Sequence, residues 1–159
     1  MKDRFGRIVL ILSVLGTLGL VWVGIDGYRV GDTRPELQRH LAQSMAVILA
    51  LFFGHSWIAL YLTFLSKTLR RGAEAGGLTE APWSWRSHRP VTWAVATSLI
   101  LLLVLFLLGP AAMLEMAPPW THAVAFFAAL AAQILALVLE TRSLRLADGQ
   151  LAELNDRLD

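Results

Sequence analysis

The chain has 159 residues, 56% of them hydrophobic and only 16% charged, with a formal net charge of +2 and no cysteine; a soluble domain carries about 25% charged residues. Lack of cysteine excludes disulfides, iron–sulfur clusters, thiolate zinc sites and a cysteine nucleophile. The basic residues are dispersed, which argues against a nucleic-acid partner, and no glycine-rich phosphate loop or paired-histidine helix motif supports an ATPase or a zinc protease.

Four segments contain no Asp, Glu, Lys or Arg: 8–25, 41–65, 91–109 and 120–139, of 18, 25, 19 and 20 residues. All 26 charged residues therefore fall in the remaining 77 positions. A bilayer core about 30 Å thick needs roughly 20 apolar residues in a helix, so each segment is long enough to span. The mean hydropathy of +0.57 agrees.

The first span follows Lys2, Arg4 and Arg7, as a secretory signal would. It is longer than a signal core and runs into Asp26-Gly27-Tyr28 rather than a small-residue cleavage site, so the sequence predicts a retained helix. Its flank of three basic residues, the five in 66–90 and the three in 140–159 give eleven on one side, against three in 26–40 and none in 110–119 on the other. The positive-inside rule then predicts cytoplasmic N- and C-termini. Trp22 and Trp120 fall near the outer ends of their spans and Trp93 near an inner end, where indole rings prefer the interface.

Thr33-Arg34-Pro35-Glu36 marks a helix start just ahead of the second span. That span carries Ala42, Ala46, Ala50 and Gly54 at four-residue spacing, a pattern that lets membrane helices approach closely. Between the second and third spans, Gly72, Gly76 and Gly77 break the helix. The segment Trp83, Trp85, Arg86, Arg89 and Trp93 then reads as membrane-interface anchors with a weak attraction to anionic headgroups. The third span is bulky almost without interruption from Leu99 to Leu108, which suggests a helix that faces lipid or a large flat partner. Gly109-Pro110 and Pro118-Pro119 bracket a short turn into the fourth span, where Ala128, Ala132 and Ala136 repeat the small-residue spacing.

Histidine supplies the candidate chemistry. His55 lies well inside the second span, and an ionisable group at that depth is a functional-site hypothesis by default. Counted from the cytoplasmic ends at 1.5 Å per residue, Thr17, His55, Ser98 and Gln133 fall within roughly 5 Å of one depth and could form one polar layer. That layer reads as interhelical hydrogen-bond glue, as a cofactor site with His55 holding haem b or contacting quinone, or as a proton relay. A second axial ligand at that depth is missing, since His40 lies roughly 22 Å up the same helix and His122 near the outer surface. His40, His122, Glu115, Asp26 and Asp32 could meet at the outer rim, in types that suit zinc or copper but in no recognised ligand spacing. No ionised residue falls inside the four uncharged segments.

The tail offers Leu137, Leu144, Leu151 and Leu158 at heptad spacing, with Ala147 and Leu154 at complementary positions. Glu140 occupies a seam position, and Asp148-Gly149 is expected to weaken or end the helix. An amphipathic tail docked on a partner or on the chain's own loop is the natural reading.

Together these features predict an all-α integral membrane protein of four antiparallel transmembrane helices, with residues 1–145 as the membrane domain and 146–159 as a cytoplasmic amphipathic tail. An inner or plasma membrane suits it. The functional expectation is a non-enzymatic small membrane subunit, an anchor, assembly or accessory component whose partners are the lipid bilayer and other membrane subunits or a second copy of itself. The alternatives are a redox subunit binding haem b or quinone through His55, with Gln133, Ser98 and Thr17 beside it, and a small transporter or channel.

Overall fold

The computed structural model describes residues 4–30, 33–77 and 89–158. Within them lie four helices, α1 (Arg4–Gly27), α2 (Arg34–Ala75), α3 (Arg89–Met113) and α4 (Pro119–Leu158). All four are long and apolar enough to cross a membrane, and the chain is a multi-pass membrane protein. The expected anchors Trp83, Trp85 and Arg86, together with Asp32 and His88, lie outside the described residues.

Local chemistry sets the helix ends. Thr33 is extended ahead of α2 and Pro35 sits in the first turn, as the sequence predicts for a helix start; the Thr33 hydroxyl donates to the Glu36 carboxylate at 2.8 Å rather than capping a backbone amide. At the other end the Gly76 and Gly77 amides bond back to Gly72 and Glu74, with Gly77 left-handed at φ 68°. Helix α3 closes in a Schellman arrangement, Met116 N–H to the Ala111 carbonyl at 2.9 Å and Glu115 N–H to Ala112 at 3.2 Å. Glu115 holds the left-handed position, φ 57°, that glycine usually fills.

Helix α1 packs on α2 and α4, α3 packs on α4 and α2, and α2 and α4 also touch each other. Bare glycines let α1 and α2 come together: a Cβ on Gly54 would meet Ser13 Oγ at 2.7 Å, and one on Gly16 would meet Leu51 Cδ2 at 2.6 Å. Two apolar clusters fill the bundle. One gathers Val9, Ile58, Leu62, Val95 and Ala136, and the other Leu20, Leu51, Leu102, Leu105 and Ala129.

Three expectations differ from what is observed. Ala42, Ala46 and Ala128 are exposed, while Gly54 and Ala136 are buried. A strict four-residue repeat advances roughly 40° beyond each full turn of a 3.6-residue helix, so a stripe of four positions winds about a third of the way around and leaves the interface. Helix α3 is also not a lipid-facing rod: Val91, Ala94, Val95, Ser98, Leu102 and Leu105 form a buried stripe, while Trp93, Ile100, Leu103 and Leu107 point outward. Its residues are bulky on both faces, so bulk carried no directional signal.

The third difference is at the tail. Helix α4 continues through Asp148 and Gly149 to Leu158. A mid-helix glycine costs about 1 kcal/mol, and the tail recovers that by packing: Leu154 and Leu151 cluster with Leu65, Leu69 and Ala73 of α2. The tail docks on the chain itself. At 1.5 Å per residue, the 42 residues of α2 and 40 of α4 measure roughly 60 Å each, about twice a bilayer core. The 24-residue α1 and 25-residue α3 are about as long as the core is thick.

Candidate functional site

The bundle centre is held by one seam of α4. Ala129, Gln133, Ala136 and Glu140, at spacings of four, three and four, are all fully buried. That face therefore alternates small residues, which admit neighbouring helices, with polar ones that reach them.

Gln133 is the hub. Its carboxamide oxygen accepts from the Ser98 hydroxyl of α3 at 2.7 Å, and its nitrogen donates to Thr17 Oγ1 of α1 at 3.2 Å. The Thr17 hydroxyl passes its own proton to the Ser13 carbonyl at 2.8 Å. The second amide proton of Gln133 faces His55 Nε2 of α2 at 2.5 Å. With Nε2 accepting, the ring proton sits on Nδ1, which donates to Glu140 Oε1 at 2.5 Å. The four residues placed at one depth by the sequence are thus brought into one connected network touching all four helices.

Glu140 is the member sequence reasoning missed. It stands one residue beyond the uncharged segment and was read as part of the tail seam, yet its side chain and that of His55 are both 0% exposed. The run of uncharged residues stops at Leu139, but the helix and its buried face continue. Its second oxygen, Oε2, has no hydrogen-bond partner among the described residues. A buried carboxyl–imidazole pair is sustained only where the ring and the acid satisfy each other.

For the cofactor reading, the decisive feature is that both nitrogens of His55 are taken. Iron could coordinate the imidazole only by displacing Glu140 or Gln133, and the ring lies wholly inside the bundle.

A second polar group lies where the α1–α2 and α3–α4 connections meet. His40 Nδ1 stands 3.5 Å from Asp26 Oδ2, and Arg39 reaches the other Asp26 oxygen at 3.8 Å. His40 and His122 both line a cavity of about 510 Å³ between the four helices. Glu115 is exposed, and among the described residues no three His, Asp or Glu side chains gather as metal ligands.

Set against family models, curated proteins and solved structures, the chain matches none. Its function has to be read from its own side chains.

Proposed function

We propose that the chain is a non-enzymatic membrane subunit, an anchor or assembly component whose antiparallel four-helix bundle carries the paired ends of α2 and α4 into the cytoplasm as its contact element. The observation that carries this reading is the interhelical polar layer. Ser98, Gln133, Thr17, His55 and Glu140 are bonded to one another across helices rather than aimed at a cavity, as a catalytic or cofactor site requires. Polar side chains bonded across helices hold a membrane bundle together where no hydrophobic driving force exists between helices. Both termini lie in the cytoplasm of an inner or plasma membrane on this reading, supported by the basic flanks around 1–7, 66–90 and 140–157.

The contact element has an apolar handle. Leu146 is 58% exposed on α4 beyond the membrane-length part of the bundle. Purified from its own membrane in mild detergent, the protein is expected to run as a complex larger than the 17.5 kDa chain, and Leu146→Glu should reduce that size while leaving membrane insertion intact. A monodisperse monomer with nothing bound contradicts the proposal. Orientation is checked separately. The chain has no cysteine, so Gln38→Cys and Ala152→Cys each give a single label site, and an impermeant maleimide should reach the first from outside and the second only after lysis.

A second reading, a small proton-linked transporter, is favoured by the contact of Glu140 with His55, since paired ionisable groups within a membrane bundle mark proton pathways. Flux in proteoliposomes that persists in a folded His55→Leu, Glu140→Leu double variant removes it.

A further inference from the structure

The cavity at the connection end is built differently from the bundle centre. Its wall is largely apolar, with Leu20, Val47, Leu105 and Ala123 among the lining residues, and its aromatic surface comes from Tyr28, Phe106 and Phe126. Phe126 reaches this position because Gly24 has no side chain; a Cβ there would run into the Phe126 ring. His40 and His122 supply the polar edge. Their rings lie close to two further glycines, with a Cβ on Gly27 falling 3.0 Å from His40 Cε1 and one on Gly109 falling 3.4 Å from His122 Cε1.

Among the described residues, His122 Nδ1 is buried without a hydrogen-bond partner, while His40 Nδ1 and Asp26 Oδ2 face each other at 3.5 Å as a loose ion pair short of a hydrogen bond. A buried polar atom left unpaired costs about 1–3 kcal/mol, and His122 and His40, the latter backed by Asp26, stand along one side of a cavity of about 510 Å³, within the range of small-molecule sites, roughly 300–1,000 Å³. A hydrogen-bonding edge, an apolar body and aromatic walls describe a flat, lipid-soluble ring that carries oxygens at its rim.

We propose that this cavity is a binding site for a quinone-class ligand: a planar ring stacked among Tyr28, Phe106 and Phe126, with one ring oxygen hydrogen-bonded to His122 and the other side of the polar edge formed by His40 backed by Asp26. An imidazole suits both forms of such a ring, donating to a carbonyl oxygen and accepting from a hydroxyl. His55 is not among the residues that line this cavity, and Leu20, Leu51 and Leu102 are buried together in one apolar cluster. The inference is independent of the subunit role and concerns binding only.

The test uses the full chain in lipid nanodiscs with decylubiquinone as the probe and decanol as a control that has the chain but no ring. Decylubiquinone should raise the unfolding temperature saturably and decanol should not. His122→Phe keeps a flat ring but removes both nitrogens, and it should weaken the apparent affinity about tenfold, the loss of one good hydrogen bond. Ala123→Phe fills the cavity and should abolish the response. A photoreactive azidobenzoquinone should label residues 20–48 or 105–126, which keeps the site testable if Ala123→Phe does not fold. Equal, non-saturating responses in wild type and His122→Phe would mean partition into lipid and would overturn the site. A decanol response matching that of decylubiquinone would overturn the ring specificity in favour of an acyl-chain groove.

Discussion

His55 with Glu140 and His40 with Asp26 are both imidazole–carboxylate pairs, and the bundle treats them in opposite ways. The first pair is fully buried at 2.5 Å and tied through Gln133 to Ser98 and Thr17. The second is looser at 3.5 Å, part-exposed, and borders a cavity shared with His122. An ionisable side chain among membrane helices is therefore not a site by virtue of depth alone. What separates the two pairs is that α4 bonds both nitrogens of the His55 ring, whereas the His40 ring borders a cavity.

The strongest way to break this comparison is to remove one partner from the central pair. Glu140→Leu leaves His55 Nδ1 with its proton unbonded, and His55→Leu leaves a buried carboxyl alone. Each should destabilise the bundle by about 3–5 kcal/mol, the usual effect of orphaning one member of a buried pair, measured by unfolding in mixed micelles. Next comes Gln133→Leu, which removes bonds to Ser98, Thr17 and His55 together. With interhelical bonds contributing about 0.6–1.7 kcal/mol each, a loss of roughly 2–4 kcal/mol is expected, against about 1 kcal/mol for Ser98→Ala.

Packing sharpens the same contrast. Gly54→Ala puts a methyl 2.7 Å from Ser13 Oγ and should cost about 1–3 kcal/mol through overpacking, whereas Ala42→Leu, on an exposed position of the same helix, should change stability by less than about 0.5 kcal/mol. A small effect is also expected at the His40–Asp26 pair: Asp26→Asn should cost less than about 1 kcal/mol, as part-solvated ion pairs do. A large loss there would erase the distinction between the two pairs.

Much of the fold was legible because charge is excluded from the bilayer core, so the four uncharged runs mark the four spanning helices directly. Depth counting also brought Thr17, His55, Ser98 and Gln133 together, since a helix rises by a fixed amount per residue. Rotation was less legible. The four-residue stripe of Ala42, Ala46, Ala50 and Gly54 suggested one face, but it winds around α2, and the bulky α3 offered no contrast between its faces.

Glu140 shows a different failure. Its seven-residue separation from Gln133, two helical turns, placed both on one seam of α4 and was available in the sequence. It was passed over because the uncharged run stops at Leu139 and a charged residue at such a boundary is ordinarily solvated. Only the packing of α2 against α4 shows that the buried seam outlasts the hydropathic run. The cavity was less accessible still. His40 and His122 were recognised as possible neighbours, but the bare glycines beside them and the apolar wall between four helices follow from tertiary packing.

The most direct test of the central claim, that the His55–Glu140 pair holds the bundle together, is a double-mutant cycle with leucine at both positions, read by reversible unfolding in mixed micelles. Replacing a whole buried pair with apolar side chains is often close to neutral. The account predicts that the double variant is more stable than either single variant, with a coupling of about 2 kcal/mol or more. Losses that simply add, leaving the double variant the least stable of the three, would contradict it.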